Sequence, residues 1–159
     1  MPNKNYLIDI IINEPVIRRV AIVEGERRQA IAELLEKNTF CPVKKELIGP
    51  FIFVMEIIEN GQTLKARLLR EDNVEVYCFN LSLKSLRRII KDYFQICSSY
   101  YDAIKKLSSA KLETIDMARR AIHNDAGEDL QKILKSNVEV DSDTARRLFT
   151  LITIMHIRG

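Results

Sequence analysis

The stretch Gly49-Pro50-Phe51-Ile52-Phe53-Val54-Met55-Glu56-Ile57-Ile58-Glu59-Asn60-Gly61 decides the fold. Phe51 to Ile58 is rich in aromatic and β-branched side chains and is bounded by Gly-Pro and Asn-Gly, which predicts a strand. Asn60-Gly61 tolerates the positive φ angles of a tight hairpin turn. Beyond it, Lys65 and Arg67 alternate with Leu64, Ala66 and Leu68, so a second strand has one wet face. Asp72-Asn73 makes another turn. Val74, Val76 and Cys78 then alternate with Glu75, Tyr77 and Asn80 in a third strand. These segments form an antiparallel meander.

Toward the N-terminus, Tyr6 to Ile12 reads as a buried strand that ends at Glu14-Pro15. Ile22 to Lys37 reads as a helix with Ala30, Ile31, Leu34 and Leu35 inward, closed by Asn38 and Pro42. Toward the C-terminus, Leu86, Ile90, Tyr93, Cys97, Tyr100, Ile104 and Leu107 mark a long helix, with Ile89, Phe94 and Tyr101 widening its stripe. Tyr93, Phe94, Tyr100 and Tyr101 at that spacing read as core. Ser108-Ser109 offers an N-cap for a second helix with Leu112, Ile115, Ala118 and Ile122 inward. Asp125 and Glu128 have capping-box spacing, so the reading leans to a break at His123-Asn124; a stripe running straight on through Ala126, Leu130, Ile133 and Leu134 is the alternative. Val138 to Val140 is extended, and Asp141 or Asp143 caps a last helix with Ala145, Leu148, Phe149, Ile152 and Met155 inward. The fold class is α+β: a small antiparallel sheet of about four strands packed against a C-terminal bundle of three to four helices. Residues 1–159 form a single domain, with a strand-helix-meander half (1–81) and a helical half (82–159).

Composition bounds the function. The 159 residues are 47% hydrophobic and 30% charged, as in globular domains. The net charge of +3 does not by itself imply nucleic acid. It is uneven: residues 1–81 carry net −1 and residues 82–159 net +4. No apolar run approaches a membrane span, and no leader is recognised, so the expected location is cytoplasmic. Cys41, Cys78 and Cys97 read as reduced core thiols. A metal site would have to gather them with His123 and His156 from distant segments, so none is expected. The glycines make neither a phosphate loop nor a dinucleotide fingerprint, and no cofactor is expected.

Ten of the 13 arginines stand in pairs: Arg18-Arg19, Arg27-Arg28, Arg87-Arg88, Arg119-Arg120 and Arg146-Arg147. Asp116 with Arg120, Asp143 with Arg147 and Arg88 with Asp92 have the i, i+4 spacing of helix-surface ion pairs. Guanidinium forks also match phosphate and carboxylate. The leading reading is therefore a non-enzymatic binding or regulatory protein. It would recognise an acidic protein or anionic ligand through Arg87, Arg88, Arg119, Arg120, Asn124, Arg146 and Arg147. RNA binding by the same surface, in a protein linked to translation, is the second reading, with a steep salt dependence as its mark. A helix-turn-helix does not fit, because nine residues separate Leu134 from Thr144 where the motif has a short turn. An enzyme is the third reading, with His123 as general base and Asp116, Asp125 or Glu128 as its orienting carboxylate. The apolar stripe of residues 86–107 suits the chain's own sheet or a second subunit, so a homo-oligomer is compatible with it.

Several segments resemble one family. They are Leu86-Arg87-Arg88-Ile89-Ile90-Lys91-Asp92-Tyr93-Phe94-Gln95-Ile96-Cys97, Tyr100-Tyr101-Asp102-Ala103-Ile104, Ile115-Asp116-Met117-Ala118-Arg119-Arg120, His123-Asn124, Asp143 through Ile152, and His156-Ile157-Arg158-Gly159. The chain is similar to the alphaproteobacterial uncharacterised protein family 0262. The resemblance implies a conserved cytoplasmic bacterial protein encoded near translation-related genes, and implies no activity. Here Asp125-Ala126-Gly127 stands where the family pattern carries Glu then Gly directly after His-Asn, which shifts the glycine by one position.

Overall fold

The computed structural model describes residues 4–13, 21–106 and 109–156. The expected features at Glu14-Pro15, Arg18-Arg19, Leu107, Ser108 and Ile157 to Gly159 lie outside them. The elements in chain order are β1 (Leu7–Asn13), α1 (Ala21–Glu36), β2 (Phe40–Pro42), β3 (Phe51–Ile58), β4 (Thr63–Leu69), β5 (Glu75–Ser82), α2 (Arg87–Lys106), α3 (Ser109–Leu134), β6 (Val138–Val140) and α4 (Ser142–His156). A single 3-10 turn, Lys84–Leu86, leads into α2.

The fold is α+β, as the sequence predicts. The main sheet has the order β1-β3-β4-β5. Its meander is antiparallel throughout, and its first turn places Asn60 and Gly61 at positive φ, as Asn-Gly allows. The expectation of an antiparallel sheet is corrected at β1, which pairs with β3 in parallel, so the sheet is mixed. The connection between these two strands runs through α1 and β2, the long crossover that parallel pairing requires.

The phase of β5 also differs from the alternation expected. Tyr77, Phe79 and Leu81 stand opposite Leu68, Ala66 and Leu64 on the core side. Cys78 pairs with Arg67 on the outer face and is exposed, so it is not a core thiol; Cys41 and Cys97 are half-buried. A register shift between Leu68 and Leu69 moves the start of β5 out of step, leaving Val74 exposed before the strand begins.

The core lies between the inner face of the sheet and the helices. Phe40, Phe51, Phe53 and Phe149 are fully buried, and the Phe40 and Phe53 rings meet at 5.0 Å. Burying each such side chain stabilises the fold by roughly 1.5–3 kcal/mol. Leu86 of the 3-10 turn and Ile90 and Tyr93 of α2 face inward, but at the far end of α2 Ala103 is buried and Ile104 exposed. An α-helix drifts about 20° per heptad against a 3.5-residue pattern, so the stripe rotates away from the core. Phe94, expected in that core, is 44% exposed.

The break expected at His123-Asn124 does not occur: α3 continues from Ser109 to Leu134. Asp125 therefore caps nothing, and Ala126, Gly127, Leu130 and Leu134 form the buried face of the second half. Gly127 lies against Arg146 of α4 with no room for a side chain, so tertiary packing outweighs its poor helix propensity. Asp141 is the cap of α4, its Oδ1 accepting the Thr144 N–H at 3.0 Å.

A short antiparallel ladder, β2 with β6, was not expected. It ties the exit of α1 to the entry of α4, and the Thr39 N–H adds a 3.0 Å bond to Thr144 Oγ1. Asn38, predicted to end α1, accepts the Leu7 N–H at 2.7 Å and donates to the carbonyls of Leu7 at 3.1 Å and Leu34 at 2.8 Å. One amide thus closes the helix and fixes the start of β1.

Candidate functional site

The arginines fall into two sets. Arg119, Arg120, Arg146 and Arg147 are already occupied. Asp116 receives Arg119 at 2.7 Å and Arg120 at 3.0 Å, and the Arg119 guanidinium lies 5.0 Å from the Tyr100 ring centre. Hydrogen bonding from Arg119 holds the Asp116 carboxyl below its ordinary range. Arg146 bonds to Asp143 and donates to Asn124 Oδ1 at 2.8 Å across the α3–α4 seam. Arg147 reaches Glu33 of α1 at 3.5 Å, not the Asp143 that its i, i+4 spacing suggested. These are exposed or half-exposed pairs of the kind that contribute about 0.2–1 kcal/mol each. The other two arginines singled out from the sequence as binding residues, Arg87 and Arg88, open α2. They form no ion pair with a described residue, so the expected Arg88–Asp92 pair is not made.

His123 is held by neutral groups. Its ring stacks on Tyr93 at 5.1 Å, and Phe149 lies edge-on to Tyr93. Nε2 lies 2.8 Å from the Arg146 carbonyl and 2.9 Å from Thr150 Oγ1, so the Nε2–H tautomer donates here. Burial lowers the His123 pKa; the Arg146 carbonyl opposes this, and the charges of Arg146, Arg119 and Arg147 add to the lowering. Among the described residues no carboxylate bonds to the ring: Asp116 serves two arginines, Asp125 is exposed, and Glu128 lines a separate open depression beside Lys132 and Glu139. Beside this cluster, burial raises the Cys97 thiol to about 11 and pushes the Tyr93 phenol well up. The Tyr101 hydroxyl donates to Glu26, linking α2 to α1. Among the described residues no group of three His, Cys, Asp or Glu side chains could hold a metal, and no helix is long and apolar enough to cross a membrane.

A cleft of about 480 Å³ opens where three segments meet. The β3–β4 turn supplies Asn60, Gly61 and Gln62. The start of α2 supplies Leu83, Lys84, Arg87, Ile90, Lys91 and Phe94, and the end of α4 supplies Thr153 and His156. Gly61 has φ of +87°, and a Cβ there would touch the His156 ring at 3.4 Å. His156 bridges the segments, with Nδ1 2.7 Å from the Ile152 carbonyl and Nε2 2.9 Å from the Gly61 carbonyl. Thr153 is 4% exposed, and its buried hydroxyl has no hydrogen-bond partner among the described residues. Leaving such a group unpaired costs about 1–3 kcal/mol. Arg87 is the cleft residue that the sequence singled out. Lys84, Lys91, Thr153 and His156 were missed; the spacing 84, 87, 91 put three cations on one helical face and was the available signal.

The family model "Uncharacterised protein family (UPF0262)" matches residues 4–158. A UPF0262 protein of Brucella canis is 43% identical over 159 residues, covering 100% of this chain and 98% of its own length. One of Mesorhizobium japonicum is 44% identical over 153 residues, covering 96% and 94%. One of Brucella anthropi is 42% identical over 159 residues, covering 100% and 98%. No solved structure matches the chain. With its model matched from residue 4 to residue 158, the chain belongs to the uncharacterised protein family UPF0262.

Proposed function

We propose that the protein is a non-enzymatic binding protein that recognises an anionic ligand through the cationic start of α2. One observation carries the reading. Arg87, Arg88, Lys84 and Lys91 lack acidic partners among the described residues, whereas Arg119, Arg120, Arg146 and Arg147 are paired with Asp116, Asp143 or Glu33. Unpaired cations gathered over the 3-10 turn and the start of α2 keep their hydrogen-bond donors for an incoming carboxylate or phosphate. Of the seven binding residues read from the sequence, this reading uses Arg87 and Arg88. The reading gives His123 no role, because among the described residues its ring bonds to the Arg146 carbonyl and Thr150 and to no carboxylate.

The test is amide chemical-shift mapping with inorganic pyrophosphate and with polyglutamate. Saturable shifts should centre on residues 84–94 and disappear in Arg87→Gln/Lys91→Gln. Shifts centred on residues 116–147 instead would overturn the assignment. Single-stranded RNA that binds far more tightly than either anion, with a steep salt slope, would replace it by the RNA reading.

A further inference from the structure

We infer that the cleft between the β3–β4 turn, the start of α2 and the end of α4 binds a small amphipathic anion, with one carboxylate or phosphate head and an apolar body. The inference rests on the reading that the α2 cations bind anions, and it names the ligand class.

The cleft volume of about 480 Å³ falls in the range of small-molecule sites, roughly 300–1,000 Å³. Its lining is divided in the way such a ligand requires. Arg87 and Lys91 are four residues apart on α2, and so are Ile90 and Phe94, so a cationic row runs directly beside an apolar row. Leu83 extends the apolar side. Phe94 is 44% exposed although it stands against this recess. An apolar body resting on Ile90 and Phe94 would cover that ring, with its head group in reach of Arg87 and Lys91.

Thr153 forms part of the cleft wall but is almost wholly buried, with its hydroxyl closed off from the recess. A flat acidic protein surface could meet the cations at the rim but would not fill the recess. His156 is committed to the wall: both ring nitrogens face backbone carbonyls, which fixes the β3–β4 turn against α4.

The experiment is isothermal titration calorimetry on the full chain with octanoate, octyl phosphate, 1-octanol and inorganic phosphate. Octanoate or octyl phosphate should bind at least about tenfold more tightly than octanol or phosphate alone, and the better of the two identifies the head group. Arg87→Gln/Lys91→Gln should weaken that ligand about tenfold and leave octanol unchanged. Thr153→Val should leave the affinity unchanged while the thermal midpoint stays equal or rises, because an unpaired hydroxyl is removed. If octanol binds as well as octanoate, or if Arg87→Gln/Lys91→Gln binds like wild type, the inference is wrong. If inorganic phosphate binds in an Arg87-dependent way and the alkyl group adds nothing, the anion reading stands and the amphipathic ligand falls. If no anion binds, both fall.

Discussion

Gly127 of α3 sits against Arg146 of α4 so closely that a Cβ at position 127 would lie 2.5 Å from Arg146 Cγ and 3.3 Å from its Cα. The two helices use the missing side chain to approach each other. That approach also places the Arg146 carbonyl within 2.8 Å of His123 Nε2. Gly127→Ala should therefore destabilise the fold by about 1–3 kcal/mol, although alanine is the better helix former by about 1 kcal/mol. Urea unfolding monitored by circular dichroism reads this directly, and a variant more stable than wild type would show that the seam can open at little cost.

Asn38 offers a second test. Asn38→Ala removes three hydrogen bonds and leaves the buried Leu7 peptide group without its partners. The expected loss is about 2–4 kcal/mol. Asn38→Asp keeps the acceptor for the Leu7 N–H but turns a carboxylate oxygen toward the Leu7 and Leu34 carbonyls, so it too should be clearly less stable than wild type in chemical denaturation. Equal stability of all three proteins would contradict this assignment.

The meander was legible because its cues are local: Asn60-Gly61 at one turn, and Lys65 and Arg67 against Leu64 and Ala66 along one strand. The phase of β5 was not, because the shift at Leu68/Leu69 depends on how two strands meet and leaves no mark in either. The continuity of α3 was obscured for a similar reason. Gly127 and the capping-like Asp125 and Glu128 argue locally for a break, while the packing that decides the matter comes from Arg146, in another helix. The parallel pairing of β1 with β3 likewise has no periodic signature in either strand. As for the cleft, its residues are drawn from positions 60–62, 83–94 and 153–156, and no window of sequence contains them together.

The cysteines should differ sharply in reactivity. Cys78 is exposed on the outer sheet face, whereas Cys97 is half-buried with its thiol raised to about 11 by burial. With a disulfide-exchange reagent near neutral pH, a fast phase should vanish in Cys78→Ser and persist in Cys97→Ser. A fast phase that survives Cys78→Ser would place the reactive thiol elsewhere.

His123 should impose a pH dependence on stability. Its pKa is lowered below the ordinary 6.5, chiefly by burial, so the folded state binds fewer protons than the unfolded chain. The neutral ring carries no penalty above the unfolded value. Stability should decline as the pH falls below that value, until the folded ring is itself protonated. Urea midpoints measured between about pH 7.5 and 5 should fall more steeply for wild type than for His123→Gln. Parallel curves would show that His123 does not set the slope.

The β2–β6 ladder bears on how the chain is made. Phe40 pairs with Val140, and Val43 donates to the Asn137 carbonyl at 2.9 Å. On a ribosome the meander has its own partners as soon as residue 82 emerges, but β2 must wait until residue 140 has left the exit tunnel. Until then the Phe40 ring, fully buried in the finished fold, lacks part of its enclosure. Translation that pauses within α3 would therefore hold the nascent chain in a form that invites a chaperone.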